Sequence, residues 1–122
     1  MHWLTHWPPY QPQNILLNSN GQVKLTDFGI ARMLENTVAM CATVVCTFKY
    51  MSPERILNEP YSYPGDIWSL GMVLIECATG KYPFSDATSI IEMVQTVADA
   101  DPPSLPDDGT FSDDFQTFIS YC

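Results

Sequence analysis

Positive charge is scarce in this 122-residue chain: five Lys and Arg stand against fourteen Asp and Glu, a net charge of −9. Duplex nucleic acid is bound largely by cations that neutralise phosphates, and five scattered cations form no patch, so a nucleic-acid partner is excluded. Closely spaced cysteines are lacking too. The four lie at 41, 46, 77 and 122 with no C-x-x-C, and the two histidines, His2 and His6, are far from them in sequence, which leaves no zinc site of ordinary spacing. We read all four as reduced thiols of a cytoplasmic protein. Long apolar runs are missing: the run from Met72 to Ile75 stops at Glu76, and a membrane span needs about 20 residues. Nothing before Lys24, the first Lys or Arg, resembles a signal peptide, so neither secretion nor a membrane partner is expected. No internal repeat is visible.

What is present expects burial. A hydrophobic share of 46 % with 12 % aromatics is too rich for a disordered chain, and the length allows one core at most. The charge is uneven. Residues 99–122 hold six acids and no Lys or Arg, while residues 1–98 hold eight acids and all five bases, which describes a solvated acidic end.

Residues 1–13 carry three prolines, two tryptophans, two histidines and no acid or base, and Pro8 with Pro9 removes two amide donors, so irregular chain is expected there. From Asn14 the pattern becomes orderly. Ile15-Leu16-Leu17-Asn18, a turn over Ser19-Asn20-Gly21, and the alternating Gln22-Val23-Lys24-Leu25-Thr26 predict a β-hairpin. Residues 30–65 show no sustained period and contain Pro53, Pro60 and Pro64, which predicts a long loop-like segment. Asp66 caps a helix that is apolar nearly all round and stops at Gly80, the pattern of a central core helix. Ser89-x-x-Glu92 is a capping box before a helix through about Ala98. Pro102, Pro103 and Pro106 enforce a connector, and Ser112 caps a last helix with Asp113 and Asp114 in its first turn and a stripe of Phe111, Phe115, Phe118, Ile119 and Cys122.

Two oxygen-bearing side chains, Asn14 and Asp27, flank the hairpin, and pairing brings both to its open end. Such oxygens together with substrate phosphates hold magnesium, although an Asx residue beside a turn is more often a turn former. In order and spacing, Asn14, Asp27-Phe28-Gly29, Ser52-Pro53-Glu54, Asp66-Ile67-Trp68-Ser69-Leu70-Gly71 and Gly80-Lys81-Tyr82-Pro83-Phe84 resemble the second half of a eukaryotic protein kinase domain over roughly residues 10–122. Tyr50-Met51-Ser52-Pro53-Glu54-Arg55, with Ser where most kinases have Ala, is similar to the MAP kinase kinases, and the spacing of Thr37 and Thr43 resembles the paired activation-loop phosphosites of their plant members.

The resemblance implies a mainly α chain with a small β-hairpin, the C-terminal lobe of the protein-kinase-like α+β fold without its N-terminal lobe, preceded by a non-matching segment over residues 1–9. It implies that Asn14 and Asp27 bind ATP-bound Mg2+ and that Phe28 and Gly29 set the position of Asp27. It also implies that phosphate on Thr37 or Thr43 orders the activation segment, that Thr47, Ser52, Pro53 and Glu54 form a substrate shelf, and that Asp66 braces the catalytic loop. The partners it implies are a MAP kinase substrate and an upstream activating kinase.

The departures from the family pattern are sharp. Counting back along H-R-D-L-x-x-x-N from Asn14, the catalytic Asp falls on Pro9, the Arg on Pro8, the His on Trp7 and the loop Lys on Gln11. Losing a general base costs about 10²–10⁴ in rate where that catalysis operates. Pro8 has no N–H to offer Asp66, Thr47 lacks the Asp and Lys it would bond, and Cys46 stands where Gly is usual. By the same resemblance Glu54 expects an Arg beyond residue 122, and a buried charge left without its partner costs about 3–5 kcal/mol. No G-x-G-x-x-G or Val-Ala-Ile-Lys strand precedes residue 10. Two expectations therefore stand side by side: a part of a MAP kinase kinase-like enzyme that is inactive as this isolated chain, or a pseudokinase-like module that docks a kinase or substrate without chemistry.

Overall fold

A computed structural model describes residues 10–26, 48–57, 59 and 63–122. Pro12–Asn14 form a single 3-10 turn, started by the fixed φ of Pro12 and closed where the N–H of Ile15 donates to the carbonyl of Pro12. The chain then enters β1 (Ile15–Leu17), which pairs antiparallel with β2 (Val23–Leu25) in the register Ile15 to Leu25, Leu16 to Lys24 and Leu17 to Val23. The turn is built by Asn18. Its Oδ1 accepts from the N–H of Asn20 at 3.0 Å and of Gln22 at 2.9 Å, and its Nδ2 donates to Gln22 Oε1 at 2.8 Å. Gly21 follows at φ +77°, a conformation that an L side chain would resist. A two-stranded hairpin is marginal alone, and here Ile15 anchors it against the helical core.

The expected hairpin is present, whereas the loop-like expectation for residues 30–65 needs correction where it can be seen. Pro53–Ile56 form a short helix, α1, with Pro53 at its first position. Proline there gives up an amide that has no intrahelical partner anyway, so it starts this helix rather than breaking it. The same physics moves the start of the central helix. α2 spans Pro64–Thr79, three residues earlier than a cap at Asp66 implies, with Tyr63 at the cap, Pro64 at the first position and Asp66 in the first turn. Its end is as expected: Gly80 at φ +71° donates its N–H to the carbonyl of Glu76 at 2.8 Å.

α3 spans Ile90–Asp99, and Ser89 Oγ accepts from the N–H of Glu92 at 3.2 Å. The return half of the capping box is displaced by one residue, since Glu92 Oε2 accepts from the N–H and the hydroxyl of Thr88 at 2.8 and 2.7 Å. Those bonds, the side-chain one foremost, hold the Glu92 carboxyl below its ordinary value. A depressed carboxyl contributes stability above its unfolded-state pKa and loses it as pH falls through the folded value. Glu92→Gln is accordingly expected to lower the urea midpoint at pH 7, with the difference from wild type shrinking as pH falls from 7 through the folded-state value of Glu92. A difference that stays constant across that interval would refute the assignment.

The connector through Pro102, Pro103 and Pro106 buries Leu105 and leads to α4 (Asp113–Ser120), where Ser112 Oγ accepts from the N–H of Phe115 at 3.3 Å. All six acids from Asp99 onward are exposed, as a solvated end requires. Two apolar clusters share α2: Tyr50, Met72, Val73 and Tyr82 make one, and Ile75, Leu105 and Ile119 make the other, with Phe111 and Phe115 packed against it. Burial along α2 is less complete than its composition suggests, because Ile67 and Cys77 are exposed. At Gly71 a β-carbon would come within 2.6 Å of Cys122 Cβ, so the absent side chain is what lets the end of the α4 stripe lie on the helix. Cys77 and Cys122 are free thiols, and burial raises the latter's pKa. Cys41 and Cys46 lie outside the described residues.

Candidate functional site

Asn14 closes the 3-10 turn and opens the hairpin, with both backbone groups committed: its N–H donates to the carbonyl of Gln11 at 2.9 Å and its carbonyl accepts from the N–H of Thr26 at 2.9 Å. Its half-buried side chain makes no hydrogen bond among the described residues, so one hard oxygen of the type magnesium takes is available there. One oxygen is not a site by itself, and among the described residues no group of three His, Cys, Asp or Glu could hold a metal. Asp27, the second expected ligand, lies outside the described residues, as do Phe28, Gly29, Thr37, Thr43, Thr47 and the catalytic-loop positions Trp7, Pro8 and Pro9.

The shelf is better defined. Ser52 is fully buried and Pro53 and Glu54 are half-buried at the start of α1. Three long-range hydrogen bonds hold the preceding residues down. Ser69 Oγ, fully buried in α2, donates to the carbonyl of Tyr50 at 2.5 Å, Tyr50 Oη donates to Glu76 Oε2 at 2.5 Å, and Tyr82 Oη donates to the carbonyl of Lys49 at 2.5 Å. The Tyr82 ring meets Tyr50 and Phe84 edge-on, with centroids 5.8 and 6.1 Å apart. Burial raises the Tyr82 phenol pKa, and the neighbouring Glu76 charge adds to the effect. Sequence reasoning missed these clamps, although the Tyr and Ser that make them were all inside the matched motifs.

The catalytic-loop positions that Asp66 is expected to brace lie outside the described residues; among the described ones Asp66 meets α1, where Arg55 Nη1 lies 3.4 Å from its Oδ1. Burial pushes the Asp66 carboxyl up, and the Arg55 guanidinium offsets part of that. The pair ties the first turn of α2 to α1, a brace between helices that follows from Arg55 sitting one turn after Ser52. Glu54 has no ion pair among the described residues. Gly65 makes this approach possible, because a β-carbon there would stand 2.9 Å from Ser52 Oγ and 3.1 Å from Glu54 Oε1. The structure thus gathers Ser52, Glu54 and Asp66 around the start of α2 and sets Asn14 at the foot of the hairpin.

Among the described residues no helix is long and apolar enough to cross a membrane. The protein kinase domain family matches this chain over residues 10–122. Mitogen-activated protein kinase kinase 2 of Arabidopsis thaliana is 45 % identical over 118 residues, covering 92 % of this chain and 32 % of that protein. Mitogen-activated protein kinase kinase 3 of the same plant is 49 % identical over 112 residues, at 92 % and 21 % coverage. Dual specificity mitogen-activated protein kinase kinase 7 of Homo sapiens is 40 % identical over 117 residues, at 92 % and 28 %. The chain spans about a fifth to a third of the length of these relatives. With the family matched over residues 10–122 and these identities over 92 % of its length, the chain belongs to the protein kinase domain family as a MAP kinase kinase-like region.

Proposed function

We propose that this chain is part of a MAP kinase kinase-like protein kinase, a transferase that phosphorylates Ser/Thr and Tyr of a MAP kinase in signal transduction and is switched on by an upstream kinase at Thr37 and Thr43. We propose further that residues 10–122 are the kinase portion, that residues 1–9 are not, and that the chain by itself transfers no phosphate. The observation that carries this is the family match over residues 10–122 together with Pro9 at the position of the catalytic carboxylate.

ATP with Mg2+, when bound, supplies the phosphoryl group and neutralises its oxygens. Asn14 and Asp27 are the residues of this chain that would hold the metal. Thr47, Ser52, Pro53 and Glu54 would receive the substrate segment, with Ser69, Tyr50 and Tyr82 keeping the described part of that shelf in place. No carboxylate at residue 9 is available to accept the substrate hydroxyl proton. Incubated with radiolabelled ATP and a purified MAP kinase, the 122-residue chain is expected to give no labelled product. Reproducible turnover that Asp27→Ala abolishes would overturn this.

The clamps support a second reading. They hold Lys49 and Tyr50 onto α2 and the loop after it, so a docking surface can persist where chemistry does not. On that reading the chain is a non-catalytic module, and immobilised chain captures a purified MAP kinase in the absence of ATP; failure to capture it would reject the module.

A further inference from the structure

The Ser89-x-x-Glu92 box is a motif that the kinase reading leaves unused, and it lies in a stretch without bases. No Lys or Arg follows Lys81, while eight acids do. Asp86 stands three residues before Ser89, Glu92 three after, and Ile90 next to it. An enzyme that modifies this hydroxyl therefore reads acids, through cations of its own, rather than Lys, Arg or an adjacent Pro. The hydroxyl is open to such an enzyme. Ser89 is exposed, and its Oγ accepts from the N–H of Glu92 at 3.2 Å while its own proton goes to no group among the described residues. The nearby hydroxyls are committed: Thr88 gives its proton to Glu92 Oε2 at 2.7 Å, and Thr96 gives its own to the Glu92 carbonyl at 2.7 Å. The first turn of α3 can also unwind onto an enzyme with little loss of burial. Ile90 and Ile91 are exposed, and Met93 is the first buried residue of the helix.

What lies next to the hydroxyl gives the modification an effect. The Glu92 carboxylate latches α3 to the loop before it, its Oε2 holding the N–H and the hydroxyl of Thr88 at 2.8 and 2.7 Å. A phosphoryl group on Ser89 sets nearly two negative charges beside that carboxylate. The phosphate is itself favoured at the positive end of α3, so Glu92 is the group displaced. Lys49, which lines the same groove as Ser89, adds to the pull on the phosphate and gives nothing back to Thr88. We propose that Ser89 is a phosphorylation site for a Ser/Thr kinase of acid-directed specificity, and that the phosphate releases Glu92 from Thr88 and frees the loop between Phe84 and α3. In the transfer the bond from Ser89 Oγ to the γ-phosphorus of ATP forms as the bond from that phosphorus to the bridging oxygen breaks. ADP leaves, and the hydroxyl proton passes to a base of the modifying kinase. The inference stands apart from the function proposed above, since this chain is the acceptor and not the donor.

The test incubates the 122-residue chain with ATP and a purified acid-directed Ser/Thr kinase, beside a peptide of residues 84–95, and reads the modified positions by mass spectrometry. Ser89 is expected to take phosphate. Ser89→Asn keeps a capping oxygen of similar strength and has no hydroxyl, so it should lose that site while staying folded. Glu92→Gln removes the acid three residues on and should slow modification at Ser89 about two- to fivefold. A chain left unmodified at Ser89 overturns the site: with the peptide modified, the fold shields the hydroxyl, and with the peptide unmodified, the sequence is not read. Phosphate confined to Ser104 or Thr110, which also have an acid three residues on, overturns it equally. A second arm places phosphoserine at position 89 by semisynthesis and follows the Thr88 amide in a nitrogen–proton correlation spectrum. That resonance is expected to move to the position it takes in Glu92→Ala, where the latch is absent. A Thr88 resonance that keeps its wild-type position in the phosphorylated chain means that the latch stays closed, and the proposed release is then wrong.

Discussion

Met72→Ala is expected to lower the unfolding free energy of the chain by about 2–5 kcal/mol, read as a fall in the urea midpoint at unchanged slope. Met72 is 2 % exposed and sits in α2 against Tyr50, Val73 and Tyr82, with Ile15, Trp68 and Phe84 packed around that cluster. Removing three heavy atoms there forfeits their transfer energy and leaves a cavity, which neighbours tethered elsewhere cannot close. Tyr50 is tied to Glu76 and, through its carbonyl, to Ser69, while Tyr82 is tied to Lys49. The cost should therefore fall in the upper part of the range. Ile91, 73 % exposed on α3, is the control, and Ile91→Ala should stay within about 0.5 kcal/mol of wild type. A Met72→Ala midpoint no lower than that of Ile91→Ala would mean that this cluster is not a core.

Which features could be read from the chain beforehand depends on how far apart the interacting residues are. The hairpin turn is decided within Asn18–Gln22, the stop of α2 by Gly80, and the starts of α3 and α4 by Ser89 and Ser112 acting three residues on. All of these are local and all were legible. Proline misled at Pro53 and Pro64, which were taken as loop signals and each open a helix. The shelf's clamps were hidden for a different reason. Ser69 to Tyr50, Tyr50 to Glu76 and Tyr82 to Lys49 join residues 19, 26 and 33 positions apart. No window-based pattern contains such pairs. The family was legible because ordered motifs, Asn14 and Ser52-Pro53-Glu54 among them, carry its spacing. The role given to Asp66 by that same resemblance did not anticipate Arg55, which is one of the few cations and lies on the neighbouring helix.

Gly65→Ala is expected to destabilise the chain by about 1–3 kcal/mol, against the usual trend. In an ordinary helical position the exchange gains about 0.5–1 kcal/mol, because alanine loses less backbone freedom on folding. At Gly65 the new β-carbon would stand 2.9 Å from Ser52 Oγ, 3.1 Å from Glu54 Oε1 and 3.4 Å from Arg55 Cδ. The flexible ends of Glu54 and Arg55 can give way. Ser52 cannot do so easily, being fully buried with its hydroxyl unpartnered, so any rotation of that oxygen meets packed atoms. The strain should thus push the start of α2 away from the shelf, and the cost depends on one oxygen atom. Ser52→Ala removes that atom; because the hydroxyl has no hydrogen bond among the described residues, this change alone should be close to neutral or stabilising. In the Ser52→Ala background, Gly65→Ala should then cost at least about 1 kcal/mol less than in the wild type, a coupling of the size seen for residues in contact. Equal costs in the two backgrounds would show that the helix start and the shelf do not meet at Ser52. The expected coupling would instead identify the serine of the Met51-Ser52-Pro53-Glu54 motif as the residue that demands glycine at position 65.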